Sequence, residues 1–181
     1  MLNEYSTLPS WYRSYKQFND VLSAMITIIG EIIVGVSSLI ILAAVLLRNI
    51  KGFSAATLLD FPPLLMPWLV FLLMAKLLRN NQHIKVDAIQ PLLGERGEVW
   101  VELISLMFSV VICVGLCLLG ISGVLFFSSI GQSTYTEIAI PLWYVQGAFP
   151  VGFFLAANFS IEGIIGHLLS LSRQSSTGEE S

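Results

Sequence analysis

The chain has 181 residues, of which 55% are hydrophobic and 12% charged, with a formal net charge of −3 and a mean hydropathy of +0.80. Soluble domains run nearer ~25% charged, so this composition excludes an ordinary soluble domain, and its hydrophobicity excludes disorder. The negative balance excludes nucleic acid as a partner, which calls for a basic field, and what remains is a small integral membrane protein with membrane lipid around it.

Residues 1–20, MLNEYSTLPSWYRSYKQFND, form a polar head. Trp11, Tyr12, Tyr15 and Phe18 alternate with Arg13 and Lys16. This pattern predicts an N-terminal interfacial segment lying at the headgroups; a disordered polar tail is the competing reading. The head is too long and too mixed for a signal peptide, and no small-x-small cleavage site follows it.

A helix crossing the ~30 Å hydrocarbon core needs ~20 apolar residues. Four stretches qualify, at about 21–47, 61–78, 99–127 and 142–171. Uninterrupted apolar runs do not fit a membrane β-barrel, whose strands alternate, and a helix satisfies its own backbone in lipid. The fold class expected is therefore an all-α membrane protein with four transmembrane helices. The domains are the head (1–20), a four-helix membrane domain (21–171) and a polar tail (172–181).

The helix ends agree with these spans. Asp60 precedes the second, and Pro62 and Pro63 fall in its first turn, where a missing N–H costs little. Lys76 and Arg79 close it, where the helix dipole favours cations. Glu95, Glu98 and Glu102 open the third. Pro67 and Pro150 lie inside spans and predict kinks. Cys113 and Cys117 share one face of the third span and read as small packing residues. Gly115, Gly120 and Gly123, with Gly147, Gly152 and Ala156 in the fourth span, permit close helix approach, within the bundle or against a partner. Trp68, Phe71, Phe108, Phe126, Phe127, Phe153 and Phe154 read as partner-contact or lipid-facing.

Three ionisable side chains, Glu31, Lys76 and Glu162, sit inside the spans, where a charge at the bilayer centre costs at least ~2.5–3.5 kcal/mol. At ~1.5 Å rise per residue, Glu31 lies ~24 Å from Leu47, Lys76 ~23 Å from Phe61 and Glu162 ~30 Å from Leu142. That arithmetic places all three in the inner leaflet, near or just inside the cytoplasmic interface. They predict a Lys76–Glu31 or Lys76–Glu162 contact; separate snorkelling to the headgroups is the alternative. A lone membrane Glu in the first of four helices also allows a different protein, an autonomous proton-coupled exporter using Glu31, but the long second connection and overlong first span argue against it.

Orientation follows from Lys and Arg. Arg13, Lys16, Lys76, Arg79, Lys85, Arg96 and Arg173 lie on one side, and Arg48 and Lys51 on the other, seven against two. Both termini are therefore expected to be cytoplasmic. In the second connection, RNNQHIKVDAIQPLLGERGEVW, a continuing helix would put Arg79, His83 and Asp87 at i,i+4 neighbours, giving an ordered elbow; a solvated turn is the plainer reading. One His and one Asp are too few for a metal site. With His83 and His167 the only histidines, no enzyme constellation stands out, and no cofactor is expected.

RNNQHIKVD after a second membrane helix ending in MAKLL resembles the small membrane subunit, DctQ type, of tripartite ATP-independent periplasmic (TRAP) transporters. Arg79, His83, Val86 and Asp87 match that family's pattern, and Arg48 matches its Arg at the end of the first helix. Pro141-Leu-Trp143-Tyr144 and Phe149-Pro150-Val151-Gly152 resemble the start of its fourth helix. Asp60 departs, standing near where the family carries an acidic pair or Glu. The resemblance covers about residues 20–170.

It implies a multi-pass protein of the bacterial inner membrane, partnered by a large TRAP membrane subunit and an extracytoplasmic solute-binding protein. It implies sodium-driven import of an organic acid such as a four-carbon dicarboxylate, sialic acid or a related carboxylate. The small subunit's part is that of a scaffold for the large one. The sequence itself is consistent with an accessory role, because it shows no repeat between its halves, the mark of many secondary transporters.

Overall fold

The computed structural model describes residues 10–48, 56–81, 90–134 and 139–177. Among the described residues six helices follow one another: α1 (Ser10–Leu47), α2 (Ala56–Leu59), α3 (Phe61–Asn81), α4 (Gln90–Ile130), α5 (Leu142–Gln146) and α6 (Ala148–Thr177). Four stretches, Ser10–Leu47, Phe61–Asn80, Leu103–Ile130 and Leu142–Leu169, are long and apolar enough to cross a membrane. They correspond to the four expected spans, and the described residues contain no strand beyond one isolated bridge, Ser133 with Pro141.

α1 is longer than its apolar run. It starts at Ser10 and passes through the head without a break. Its buried residues, Tyr12, Asn19, Ser23, Ile26, Gly30, Ser37 and Ala44, recur at spacings of seven, four and three, the period of one helix face. The polar residues of the head thus extend this face and pack, while Trp11 and Phe18 stay exposed.

α3 begins just after Asp60 with Pro62 and Pro63 in its first turn, and it carries Pro67 without an interruption. α4 ends where Gly131 takes a left-handed φ of +66° and its N–H reaches Phe127 O at 3.2 Å, a conformation that costs a residue with a Cβ. The turn that follows is closed by Thr134 N–H to Ile140 O and Leu142 N–H to Gln132 O, each at 2.9 Å.

The fourth span is broken at Gly147 into α5 and α6. Pro150 supplies the reason: it has no N–H for the carbonyl of Gln146, and its ring presses on that carbonyl. The interruption falls where a kink is expected from Pro150, and Gly147 itself keeps a right-handed helical backbone, with φ −59° and ψ −23°.

α6 packs against both α3 and α4, and α1 packs against α3. Half of α6's most apolar stretch is buried, against 11% of α4's, so α6 is the central helix. The core joins Ile26, Leu72, Ala75, Cys113, Phe153, Ala156, Ala157 and Phe159, with Trp68 and Phe71 packed against it. This corrects part of the aromatic assignment. Phe153 is buried, and Phe71 meets Phe149 edge-on at 5.0 Å, whereas Phe108, Phe126 and Phe154 are exposed. Two glycines set the helix spacing. A Cβ at Gly152 would lie 2.6 Å from Phe71 Cβ and 2.8 Å from Phe71 O, and one at Gly120 would lie 2.6 Å from the Phe149 ring. At Gly115 nothing lies within 4 Å, so its small size serves no contact among the described residues.

Candidate functional site

The polar side chains collect at the end of the bundle where α3 closes. Arg79 sits in the last turn of α3, ~27 Å along the helix from Phe61, and its guanidinium points back into the bundle. Nε donates to Glu162 Oε2 at 3.0 Å and Nη2 to Glu162 Oε1 at 2.8 Å, a two-pronged contact that suits a planar fork. Nη2 also donates to Asp20 Oδ1 at 2.7 Å. The guanidinium lies 5.2 Å from the ring centre of Phe159, within cation–π range, and that ring is fully buried. One cation thus ties α3 to α1 and α6.

The two acids differ in environment. The Glu162 side chain is 9% exposed and that of Asp20 57%. Removing the partner of a buried carboxylate costs about 3–5 kcal/mol, whereas an exposed pair is worth at most about 1 kcal/mol. Glu162 is the stronger anchor.

A second set of bonds holds the head of α1 to α6. Tyr15 Oη donates to Asn158 Oδ1 at 2.8 Å and to Asn158 O at 3.2 Å. Asn158 Nδ2 donates to Asn19 Oδ1 at 2.7 Å, and Asn19 is completely buried. Asn158 and Glu162 are four residues apart, so one face of α6 meets both Asn19 and Arg79. Close by, Tyr12 Oη lies 2.8 Å from where a Cβ on Gly166 would stand. Deeper in the bundle, Lys76 Nζ donates to Thr27 Oγ1, which donates to Ser23 O at 2.9 Å.

These contacts change the expected pairings. Lys76 forms no ion pair with Glu31 or Glu162 among the described residues; its ammonium reaches Thr27, and Arg79 holds Glu162. Arg79 stands one turn beyond Lys76, level with the acid, and its fork offers two donors to one carboxylate. Glu31 is exposed on α1. Its neighbour Gly30 faces Leu69 and Leu73, at the midpoint of α3. Glu31 therefore lies ~16 Å from either end of α3, near mid-depth, rather than close to an interface. The depth counted from Leu47 misplaces it because α1 overshoots the start of α3.

Arg48 is exposed just beyond α1, its N–H on Ala44 O at 3.1 Å, ~42 Å of helix away from Asp20. His83 and Asp87 lie outside the described residues, as does the elbow expected of them. Asp20, Asn19, Tyr15, Thr27 and Asn158 are site residues that the sequence reading missed. The available signal was the period: Tyr12, Asn19, Ser23 and Thr27 share a face only if the helix begins before the apolar run. Among the described residues no group of three or more His, Cys, Asp or Glu is placed to hold a metal ion. Chemically, the cluster fastens helices, and the one guanidinium at its centre is already engaged by two carboxylates.

Comparison with known families matches residues 37–169 to the family described as "Tripartite ATP-independent periplasmic transporters, DctQ component". That range includes Arg48, Lys76, Arg79 and Glu162, and begins after Asp20 and Glu31. Neither a curated protein nor a solved structure matches the chain.

Proposed function

The chain belongs to the DctQ component family of tripartite ATP-independent periplasmic transporters, and we propose that it is the small membrane subunit that braces a large transport subunit. The assembly imports an organic acid, a four-carbon dicarboxylate, sialic acid or a related carboxylate, on a sodium gradient, with an extracytoplasmic solute-binding protein delivering the solute. The chain sits in a bacterial inner membrane with both termini cytoplasmic, as its seven-against-two division of basic residues favours. In this orientation the Arg79 cluster lies at the cytoplasmic end.

The observation that carries the scaffold reading is the engagement of Arg79. A subunit that conducts a carboxylate through itself needs a cation available to the substrate near mid-membrane. Arg79 lies at one end and is clamped by Glu162 and Asp20, and Lys76 is turned onto Thr27. Both serve helix cohesion. His83 and Asp87, with Arg48, are assigned to subunit contact or loop order on the strength of the family pattern.

Reconstitution separates this reading from its competitor. Liposomes containing this chain together with its large subunit, supplied with the binding protein and a sodium gradient, are expected to accumulate a carboxylate. Liposomes containing this chain alone are expected to move none. Transport by the isolated chain, especially proton-coupled efflux abolished by Glu31→Gln, would instead establish the autonomous exporter.

A further inference from the structure

We infer that the flank of α1 carrying Glu31 is the surface on which the large membrane subunit docks, through a helix that presents a hydrogen-bond donor at the depth of Glu31. This rests on the scaffold reading above and names the contact that it leaves open.

Three observations carry it. Glu31 is exposed on α1, level with the midpoint of α3, too deep for its short side chain to reach either interface. An ionisable group at that depth facing lipid is unfavourable, and such groups pair inside a protein interface. The cation closest in register, Lys76, is bound to Thr27. One turn along the same face, a Cβ at Gly35 would meet nothing within 4 Å. The glycines Gly30, Gly120, Gly152 and Gly166 all have a neighbour from another helix pressed against them, so the small size of Gly35 is unused among the described residues. Glycine weakens a helix interior, and close approach of an outside helix gives it a use. Ile28, Ser38 and Leu42 complete this face at helical spacing and are exposed. Gly115 on α4 is also open, but its face carries no ionisable group; α1 alone combines the open glycine with a carboxyl that requires a donor.

The test uses the full chain co-expressed with its large subunit. A photocrosslinker at residue 28, 38 or 42 is expected to trap the large subunit, and one at Val111 or Leu119 of α4 to trap it far less. Glu31→Leu is expected to lower the amount of large subunit co-purified by about tenfold, the worth of one hydrogen bond in a membrane, and Glu31→Gln to retain most of it. Gly35→Leu has room within the chain, so it is expected to leave the isolated chain's melting temperature unchanged while reducing co-purification. If the unaltered pair co-purifies but the α1 positions crosslink no more than the α4 positions, or join two copies of this chain, the inference is overturned and the scaffold reading stands. If recovery of the complex in Glu31→Lys requires Lys76→Glu, Glu31 belongs to a pair within the chain and the inference is likewise overturned. If the unaltered pair does not co-purify at all, both fail together.

Discussion

Arg79 shows how one side chain decides the cohesion of three helices. Its bond to the buried Glu162 carries most of the energy, and its bond to the exposed Asp20 carries little. Arg79→Ala is expected to destabilise the purified chain by about 3–5 kcal/mol, because the buried Glu162 carboxyl loses both of the bonds that the guanidinium gives it. Asp20→Asn is expected to cost at most about 1 kcal/mol. Arg79→Lys should fall between them, since an ammonium keeps the charge but loses the fork. Unfolding of the three variants in detergent, followed by circular dichroism, checks the order. Equal losses for Asp20→Asn and Arg79→Ala would place the anchor on the wrong acid. In the complex, Arg79→Ala is expected to reduce assembly and uptake without altering which acid is preferred, measured by competition among carboxylates.

For the helices as elements, packing distance and chain length matter more than propensity. α6 approaches α3 at Gly152 and α4 at Gly120, and in both places a Cβ would lie closer than van der Waals contact. Gly152→Ala is expected to lower thermal stability, because Phe71's backbone oxygen cannot yield as a flexible side chain can. Gly115→Ala should leave stability unchanged or raise it by up to about 1 kcal/mol, since alanine is the better helix former and the site is open. A melting-temperature comparison of the two variants distinguishes packing from propensity. The head of α1 makes the same point with polar groups. Asn158→Leu removes the side-chain acceptor for Tyr15, leaving it only the backbone oxygen, and removes the donor to Oδ1 of buried Asn19. It is expected to cost about 1–3 kcal/mol, and to raise hydrogen exchange in residues 10–20 before the rest of α1.

At the scale of the whole molecule, α6 is enclosed while α1 and α4 present broad apolar surfaces outward. Membrane helices gain nothing from apolarity in associating, since lipid is equally apolar, so close packing and polar bonds have to hold the bundle together. The Gly120 and Gly152 contacts and the Arg79 cluster supply both. Topology is testable at this scale. With Cys113 and Cys117 replaced by Ser, a single Cys at residue 131 is expected to react in intact cells with a membrane-impermeant thiol reagent. A Cys at residue 10 or 175 should react only after the inner membrane is opened. The reverse pattern would invert the orientation assigned from the basic residues.

Four apolar runs of sufficient length leave a chain in lipid almost no choice but four helices, so number, approximate span and family were legible from sequence alone. Proline marked the start of α3 and the interruption before α6 for local reasons, since Pro62 and Pro63 fit a first turn and Pro150 has no N–H to give; the left-handed Gly131 that ends α4 was not read from the sequence. Partner choice was not legible. Counted depth sets Glu162 ~3 Å from Arg79 and ~7 Å from Lys76, both within reach of long side chains, and the placement of α3 against α6 selected Arg79. Asp20 and Asn19 looked like the polar edge of a span because hydropathy averages over a helix and conceals a polar stripe on one face. The depth of Glu31 depended on how far α1 slides along α3, a register fixed by Gly30 against Leu69 and Leu73. Composition and periodicity are properties of one segment, while ion pairs and depth are properties of two segments placed together, and that placement exists only in the folded bundle.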